Sequence, residues 1–97
     1  LQVADLVLNL DARQAHRSGQ LLKLTPSGWT LLETLLRASP ALVTKRQLEE
    51  ALWPDDIPDS NALKVHLYHL RQQVDKPFDK ALIHTLPGQG VVLKVDV

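Results

Sequence analysis

The chain has 97 residues, no cysteine, and 11 basic and 11 acidic residues that cancel to a formal net charge of zero. This length fits one domain with a single modest core, and the lack of cysteine excludes disulfides, thiolate metal sites and a cysteine nucleophile. No apolar run approaches the roughly 20 residues of a membrane span, and no basic-then-apolar leader is present, so we expect a cytoplasmic domain that contacts no membrane. The chain opens directly on a predicted strand, and we expect it to be a fragment of a larger protein.

Residues 1–24 alternate in hydropathy with the period of a β-strand, with Leu6 and Leu8 on one side. Ser18-Gly19 is a two-residue connection that suits a tight hairpin. The pattern predicts three or four short antiparallel strands with one apolar face, which the helices that follow would cover.

Three helices are predicted within residues 25–76. Thr25-Pro26 starts the first, with threonine as N-cap and proline at the first helical position. Its apolar surface includes Trp29, which we interpret as a core residue rather than a stacking platform. Pro40 ends this helix.

The second helix is short. Thr44 and Gln47 have the spacing of a capping box, and Trp53-Pro54 ends the helix. The following residues, Pro54–Asp59, are rich in proline and aspartate and are predicted to form a loop.

The stretch Ser60–Val74 has two contrasting faces. Leu63, Leu67, Leu70 and Val74 recur at helical spacing and predict a buried stripe. The opposite face holds Asn61, Lys64, Val65, Tyr68, His69 and Gln72. Amides can bind adenine, lysine can bind guanine, and a small apolar group can touch a thymine methyl, so this face is typical of a helix that reads the major groove. A surface helix of unusual composition is the alternative.

Two helices joined by a short irregular loop follow the helix-turn-helix plan with an enlarged turn. In that plan the first helix crosses the DNA backbone. Lys45 and Arg46, near its start, are therefore either phosphate contacts or simply solvated cations.

Residues 82–95 predict a C-terminal β-hairpin, with Pro87–Gly90 as its turn. A hairpin behind a helix-turn-helix is the wing of a winged helix. His84 and Lys94 would be its nearest donors to a DNA backbone or minor groove.

The histidines are the only residues in the sequence that we consider as candidates for a catalytic or metal site. His66 and His69 are three residues apart on one predicted helix, but no carboxylate completes a zinc-binding spacing. Gly88 and Gly90 lie in a hairpin with no following helix, so they do not form a phosphate loop. We therefore expect no enzymatic activity, metal, cofactor or small-molecule substrate.

Short motifs match one family in order and spacing over nearly the whole chain. They are Leu24-Thr25-Pro26, Leu31-Leu32-Glu33, Val43–Leu48, Leu52-Trp53, Asn61–Leu67, Leu70-Arg71, Ile83-His84-Thr85 and Gly88-Gln89-Gly90. The chain resembles the C-terminal effector domain of OmpR/PhoB-type response regulators, the output half of bacterial two-component systems. This resemblance implies an α+β winged helix-turn-helix with an antiparallel four-stranded N-terminal sheet, three helices and a C-terminal hairpin wing.

The resemblance also implies a sequence-specific transcription regulator domain whose third helix lies in the major groove of promoter DNA. Positions that contact bases in this family match Asn61, Val65, Tyr68 and His69, and positions that contact the DNA backbone match Arg46, His66 and Arg71. From residue chemistry we add Lys64 for bases, and Lys45 and Lys94 for phosphates.

Two further partners are implied. The loop expected to face RNA polymerase consists of Pro54, Asp55, Asp56, Ile57, Pro58 and Asp59, and two copies are expected as a tandem homodimer on a direct repeat. Gly28 and Pro87 depart from the family pattern, since a glutamate usually completes the first capping box and an arginine usually occupies the wing. Gly28 should weaken the start of its helix by about 0.5–1 kcal/mol.

Two alternatives stay open. A winged helix that contacts proteins would fit the zero net charge and the proline in the wing. A DNA-binding domain attached to a membrane sensor instead of a phosphorylated receiver would carry the same motifs.

Overall fold

The computed structural model describes residues 1–95 and confirms the predicted α+β winged helix. Its elements are β1 (Gln2–Val3), β2 (Leu6–Asn9), β3 (Gln14–Arg17), β4 (Gln20–Leu21), α1 (Pro26–Ala38), β5 (Val43–Thr44), α2 (Lys45–Leu52), α3 (Ala62–Val74), β6 (Ile83–Leu86) and β7 (Gly90–Leu93). They form a four-stranded sheet of order β1-β2-β3-β4, three helices, and a three-stranded sheet of order β5-β7-β6.

The N-terminal sheet follows the predicted alternation. Leu6 and Leu8 of β2 are buried. The β3–β4 hairpin closes through Ser18 and Gly19, whose φ angles are 50° and 77°. Positive φ at both turn residues matches the right-handed twist of the strands, which explains why this two-residue connection works. Strand β4 ends at Leu21, earlier than the alternation suggested.

Helix α1 packs against α2, α3 and β7. Trp29 is only 6% exposed, which confirms its interpretation as a core residue. The side chain of Thr25 accepts a hydrogen bond from the Gly28 N–H at 3.0 Å. Thr25 therefore caps α1, but Gly28 has no side chain that could return the second bond of a capping box. A Cβ at Gly28 would lie 3.7 Å from Cδ1 of Leu70, which is an ordinary contact distance, and 3.2 Å from Oγ1 of Thr25, so its tightest neighbour would be the capping hydroxyl and not α3.

Strand β5 was not predicted. Val43 pairs with Val91 and Thr44 pairs with Gly90, which adds a third strand to the wing hairpin. Thr44 is also the N-cap of α2, and its capping box with Gln47 is complete, with distances of 3.1 Å and 2.9 Å. The start of α2 is therefore joined directly to the wing.

No helix within residues 1–95 is long and apolar enough to cross a membrane. In the same part of the chain, every buried side-chain nitrogen and oxygen has a hydrogen-bond partner.

Candidate nucleic-acid interface

Helix α3 separates the two predicted faces. Leu63, Leu67, Leu70 and Val74 are all buried, at 8% exposure or less. The five residues predicted to contact bases are all exposed, and they are Asn61, Lys64, Val65, Tyr68 and His69. The structure therefore brings this set together on one outward surface, which we call the reading face.

The N-terminal end of α3 differs from those of α1 and α2. Asn61 is the N-cap residue, but its side chain makes no capping hydrogen bond. In the first helical turn the Lys64 N–H donates to the carbonyl oxygen of Asn61 at 3.1 Å, and the exposed Asn61 amide is left to other partners. Such a helix end favours anions and other hydrogen-bond acceptors.

Aromatic contacts orient two histidines differently. The Tyr68 and His69 rings meet edge to face, with centroids 5.6 Å apart and planes at 75°. His66 is half-buried and lies 5.8 Å from the Trp53 ring, toward the loop that precedes α3. Within residues 1–95, no group of three or more histidine, aspartate and glutamate side chains could hold a metal ion.

Cations predicted to contact phosphates lie in the first turn of α2. Lys45 and Arg46 are both exposed. Arg46 donates from Nε to Oε1 of Glu50 at 3.0 Å, with 77% of the arginine side chain exposed. An exposed pair of this kind is weak, so the guanidinium can exchange its carboxylate for a phosphate at little cost.

Arg71 joins the reading face to the wing. Its Nη2 donates to Oγ1 of Thr85 in β6, and a groove of about 430 Å³ lies between α2, α3 and the wing. Cations and amides along this groove include Lys45, Asn61, Lys64, Arg71 and Gln89. The motif Ile83-His84-Thr85 included Thr85, but the sequence did not indicate its contact with Arg71, because the two residues belong to different elements.

A family model described as transcriptional regulatory protein, C terminal, matches residues 19–93. The chain belongs to this family, the winged-helix DNA-binding domains of OmpR/PhoB-type regulators. It is 36% identical over 95 residues to the transcriptional regulatory protein CusR of Escherichia coli K12, covering 97% of this chain and 42% of CusR. It is 33% identical over 95 residues to the response regulator MprA of Mycobacterium tuberculosis, covering 97% of this chain and 41% of MprA.

A solved structure of the same kind of domain matches over nearly its whole length. The DNA-binding domain of CpxR from Escherichia coli superposes with a TM-score of 0.82 at 29% identity, covering 98% of this chain and 95% of that chain. The chain spans about two fifths of the length of CusR and MprA. The family is one of transcription regulators and not of enzymes.

The wing of this winged-helix domain has an uncharged tip. Residues 86–90 contain no charged side chain, and Leu86 is 40% exposed. Lys94 follows β7, at the end of the hairpin opposite the turn, where its carbonyl oxygen lies 3.2 Å from Nε2 of His84. The structure therefore separates Lys94 from the wing tip and places it beside His84.

The loop from Pro54 to Asp59 connects α2 and α3 without helix or strand. Pro54, Asp55, Asp56 and Asp59 are exposed, whereas Ile57 and Pro58 are half-buried. The loop therefore presents its three carboxylates to solvent, while Ile57 and Pro58 are partly shielded from it.

Proposed function

We propose that this domain is the promoter-reading output module of a two-component response regulator, with α3 inserted in the major groove. The observation that carries the proposal is the reading face of α3. Five exposed side chains with base-reading chemistry lie opposite a stripe of buried aliphatic residues. In a member of a DNA-binding family, such a face on the second helix of a helix-turn-helix is best explained as a recognition surface.

The side chains divide into two roles. Asn61, Lys64, Val65, Tyr68 and His69 discriminate between bases, and Lys45, Arg46, His66, Arg71 and Lys94 position the domain on phosphates. Lys94 serves a phosphate that flanks the base of the wing, because it lies away from the turn. The uncharged tip leaves most of the discrimination to α3.

Two partners complete the proposal. Two copies bind in tandem on a direct repeat as a homodimer, and the exposed carboxylates of the loop Pro54–Asp59 face RNA polymerase in the cytoplasm. The structure of the Klebsiella pneumoniae RstA DNA-binding domain has the same fold, with a TM-score of 0.82 at 16% identity, and holds that protein in complex with the RstA box.

A second function is favoured by one observation. Val65 and Tyr68 are 54% and 58% exposed, and Leu86 adds an apolar side chain at the wing tip. A winged helix that binds a protein would expose such groups. The cations beside them fit this alternative less well.

The deciding experiment is a selection of bound sequences from a random duplex library at two salt concentrations. We expect recovery of a direct repeat and a steep loss of affinity as salt rises, by a slope of about 0.9 for each phosphate contact. Arg71→Ala should weaken cognate and scrambled DNA alike and reduce the slope by about one. The matched control is Lys80→Ala, which removes an exposed cation away from the reading face.

No enrichment at low salt from a demonstrably folded domain would overturn the proposal and favour the protein-binding alternative. Equal effects of Arg71→Ala and Lys80→Ala would show that only general charge attracts the DNA.

A further inference from the structure

Arg17 and Asp75 are the two buried charged residues of the described chain, with 2% and 9% of their surfaces exposed. Arg17 leaves β3 on its buried side. Its Nη1 donates to the carbonyl oxygen of Val74 at 2.5 Å and to Oδ1 of Asp75 at 3.3 Å, and its Nε donates to Oδ1 of Asp5 at 3.2 Å. A residue of the N-terminal sheet thus binds the last turn of α3.

The Asp75 carboxylate binds the base of the wing. Its Oδ1 accepts a hydrogen bond from the N–H of Leu82 at 2.9 Å, and its Oδ2 accepts one from the N–H of Ile83 at 3.2 Å. Leu82 in turn accepts from the N–H of Lys94 at 3.0 Å, and Ile83 pairs with Leu93. One carboxylate therefore holds the end of α3 and the first residues of the wing.

The segment 75–82 joins α3 to β6 without helix or strand. Arg17 closes over this segment, because its Nη2 donates to the carbonyl oxygen of Lys80 and its guanidinium lies 4.8 Å from the centroid of the Phe78 ring. Strand β5 pairs with β7 near the turn of the wing. The base of the wing lies at the other end of the hairpin from this turn. There, Arg17 and Asp75 make the buried polar contacts that connect the wing to α3.

We propose that Arg17 and Asp75 are positioning residues for DNA binding, whose ion pair sets the base of the wing against α3 so that both elements reach one duplex. The proposal rests on the proposed function, because it requires α3 and the wing to meet the same DNA. Both residues are buried, so they act through the elements they hold and not by touching DNA.

The charge on Asp75 is required by its partners. An ionised carboxylate accepts from two backbone N–H groups and a guanidinium at once. An amide has the same shape but only one acceptor oxygen, and its NH2 group would face a donor. Asp75→Asn therefore removes the charge that pairs with Arg17 and at least the hydrogen bond from the Ile83 N–H, while it leaves the volume of the side chain nearly unchanged.

The test compares Asp75→Asn with Leu8→Ala, a core substitution in β2 away from the ion pair. Both variants are studied at a temperature where their thermal melts show them fully folded. Residual dipolar couplings of backbone amides measure the angle between α3 and the wing, and amide exchange measures protection of Leu82 and Ile83. Fluorescence anisotropy measures the Kd for the DNA recovered by the selection.

We expect Asp75→Asn to change the angle, to speed exchange, most strongly at Ile83, and to raise the Kd about tenfold, because DNA binding must then supply the free energy that returns the wing to its place against α3. Leu8→Ala should leave all three unchanged. An unchanged angle or Kd in folded Asp75→Asn would overturn the proposal, and so would an equal rise in Kd for Leu8→Ala. If the wild-type domain selects no DNA, the proposed function fails, and the angle alone decides whether the ion pair sets the wing.

Discussion

At its N-terminal end, helix α3 begins after Asn61, whose exposed side chain makes no capping hydrogen bond. At its C-terminal end, the Val74 carbonyl oxygen and the Asp75 carboxylate are buried and bonded to Arg17. The N-terminal end leaves polar groups available to an outside partner, and we call it the open end. The C-terminal end satisfies its polar groups inside the protein, and we call it the anchored end.

The difference indicates that the two ends of α3 have separate roles. The C-terminal end contributes to stability, and the N-terminal end is available for the proposed function. Asparagine is a strong N-cap residue, and Thr25 and Thr44 do cap α1 and α2. Asn61 makes no such bond, so α3 lacks the stabilisation of an N-cap at the end that lies on the reading face. Departures from local optimum of this kind are expected at functional sites.

The largest expected effect is at the anchored end. Arg17→Met should lower the free energy of unfolding by about 3–5 kcal/mol, because it leaves the buried Asp75 without its cation. Urea unfolding measures the loss. Arg46→Met, which breaks an exposed pair with Glu50, serves as the control and should cost less than about 1 kcal/mol. Similar losses for the two variants would contradict the contrast between buried and exposed pairs.

The open end should behave in the opposite way. Asn61→Ala should leave stability nearly unchanged, because no capping bond is lost, but should cost about 1–3 kcal/mol in cognate affinity and relax specificity at one base pair. Binding to a panel of single-base operator variants measures this. The exposed Gln73, at the far end of the same helix, gives the control Gln73→Ala. Equal weakening on cognate and scrambled DNA would assign Asn61 to the backbone instead.

A smaller effect sharpens the comparison between helix starts. Thr44→Ala should lower the free energy of unfolding by about 1 kcal/mol, because it removes one half of a complete capping box. Thermal melts of Thr44→Ala and Asn61→Ala, made side by side, measure the difference. Equal melting temperatures for the two variants would show that the capping bonds of Thr44 stabilise the domain no more than the uncapped Asn61 does.

The smallest effect is a pH dependence next to the anchored end. The Ser18 hydroxyl, followed by the Arg17 guanidinium, holds the pKa of Asp5 below its ordinary value of 3.8 against the opposing effect of burial. Since the folded pKa is the lower one, this stabilisation is present above about pH 4 and is lost as the pH falls through the folded pKa. Unfolding of the wild type and Asp5→Asn, at about pH 5 and about pH 3, should show a smaller acid loss in the variant. The exposed Asp11→Asn is the control, and an equal change there would show no special role for Asp5.

Local patterns predicted most of the fold. The buried stripe of α3, the capping box at Thr44 and the hairpin at Ser18-Gly19 each depend on residues a few positions apart. Helical periodicity also predicted correctly which side chains of α3 are exposed, because one period determines which side chains point outward. Strand β5 was not predicted, because a segment of two residues is too short to show an alternating pattern. It is recognised as a strand only by its pairing with β7.

The anchored end shows the limit of such patterns. Alternation in β3 points Arg17 inward with Ala15, so a buried cation could have been expected. Its partner could not, because Asp75 is 58 positions away and the sequence offers 11 acidic residues. Long-range polar pairs are determined by the assembled core and not by any local period.

The contact between β5 and the wing has a consequence for protein engineering. A Cβ at Gly90 would collide with the carbonyl oxygen of Val43 and lie 2.9 Å from Cα of Thr44, whereas a Cβ at Gly88 would meet nothing within 4 Å. Gly90 therefore cannot be exchanged. The space around the turn Pro87–Gln89 is open, although Gly88 itself, with a φ of 77°, disfavours any other side chain. Under the proposed function, basic turns of different length inserted there should give a series of variants that share α3 and differ stepwise in their affinity for one DNA sequence.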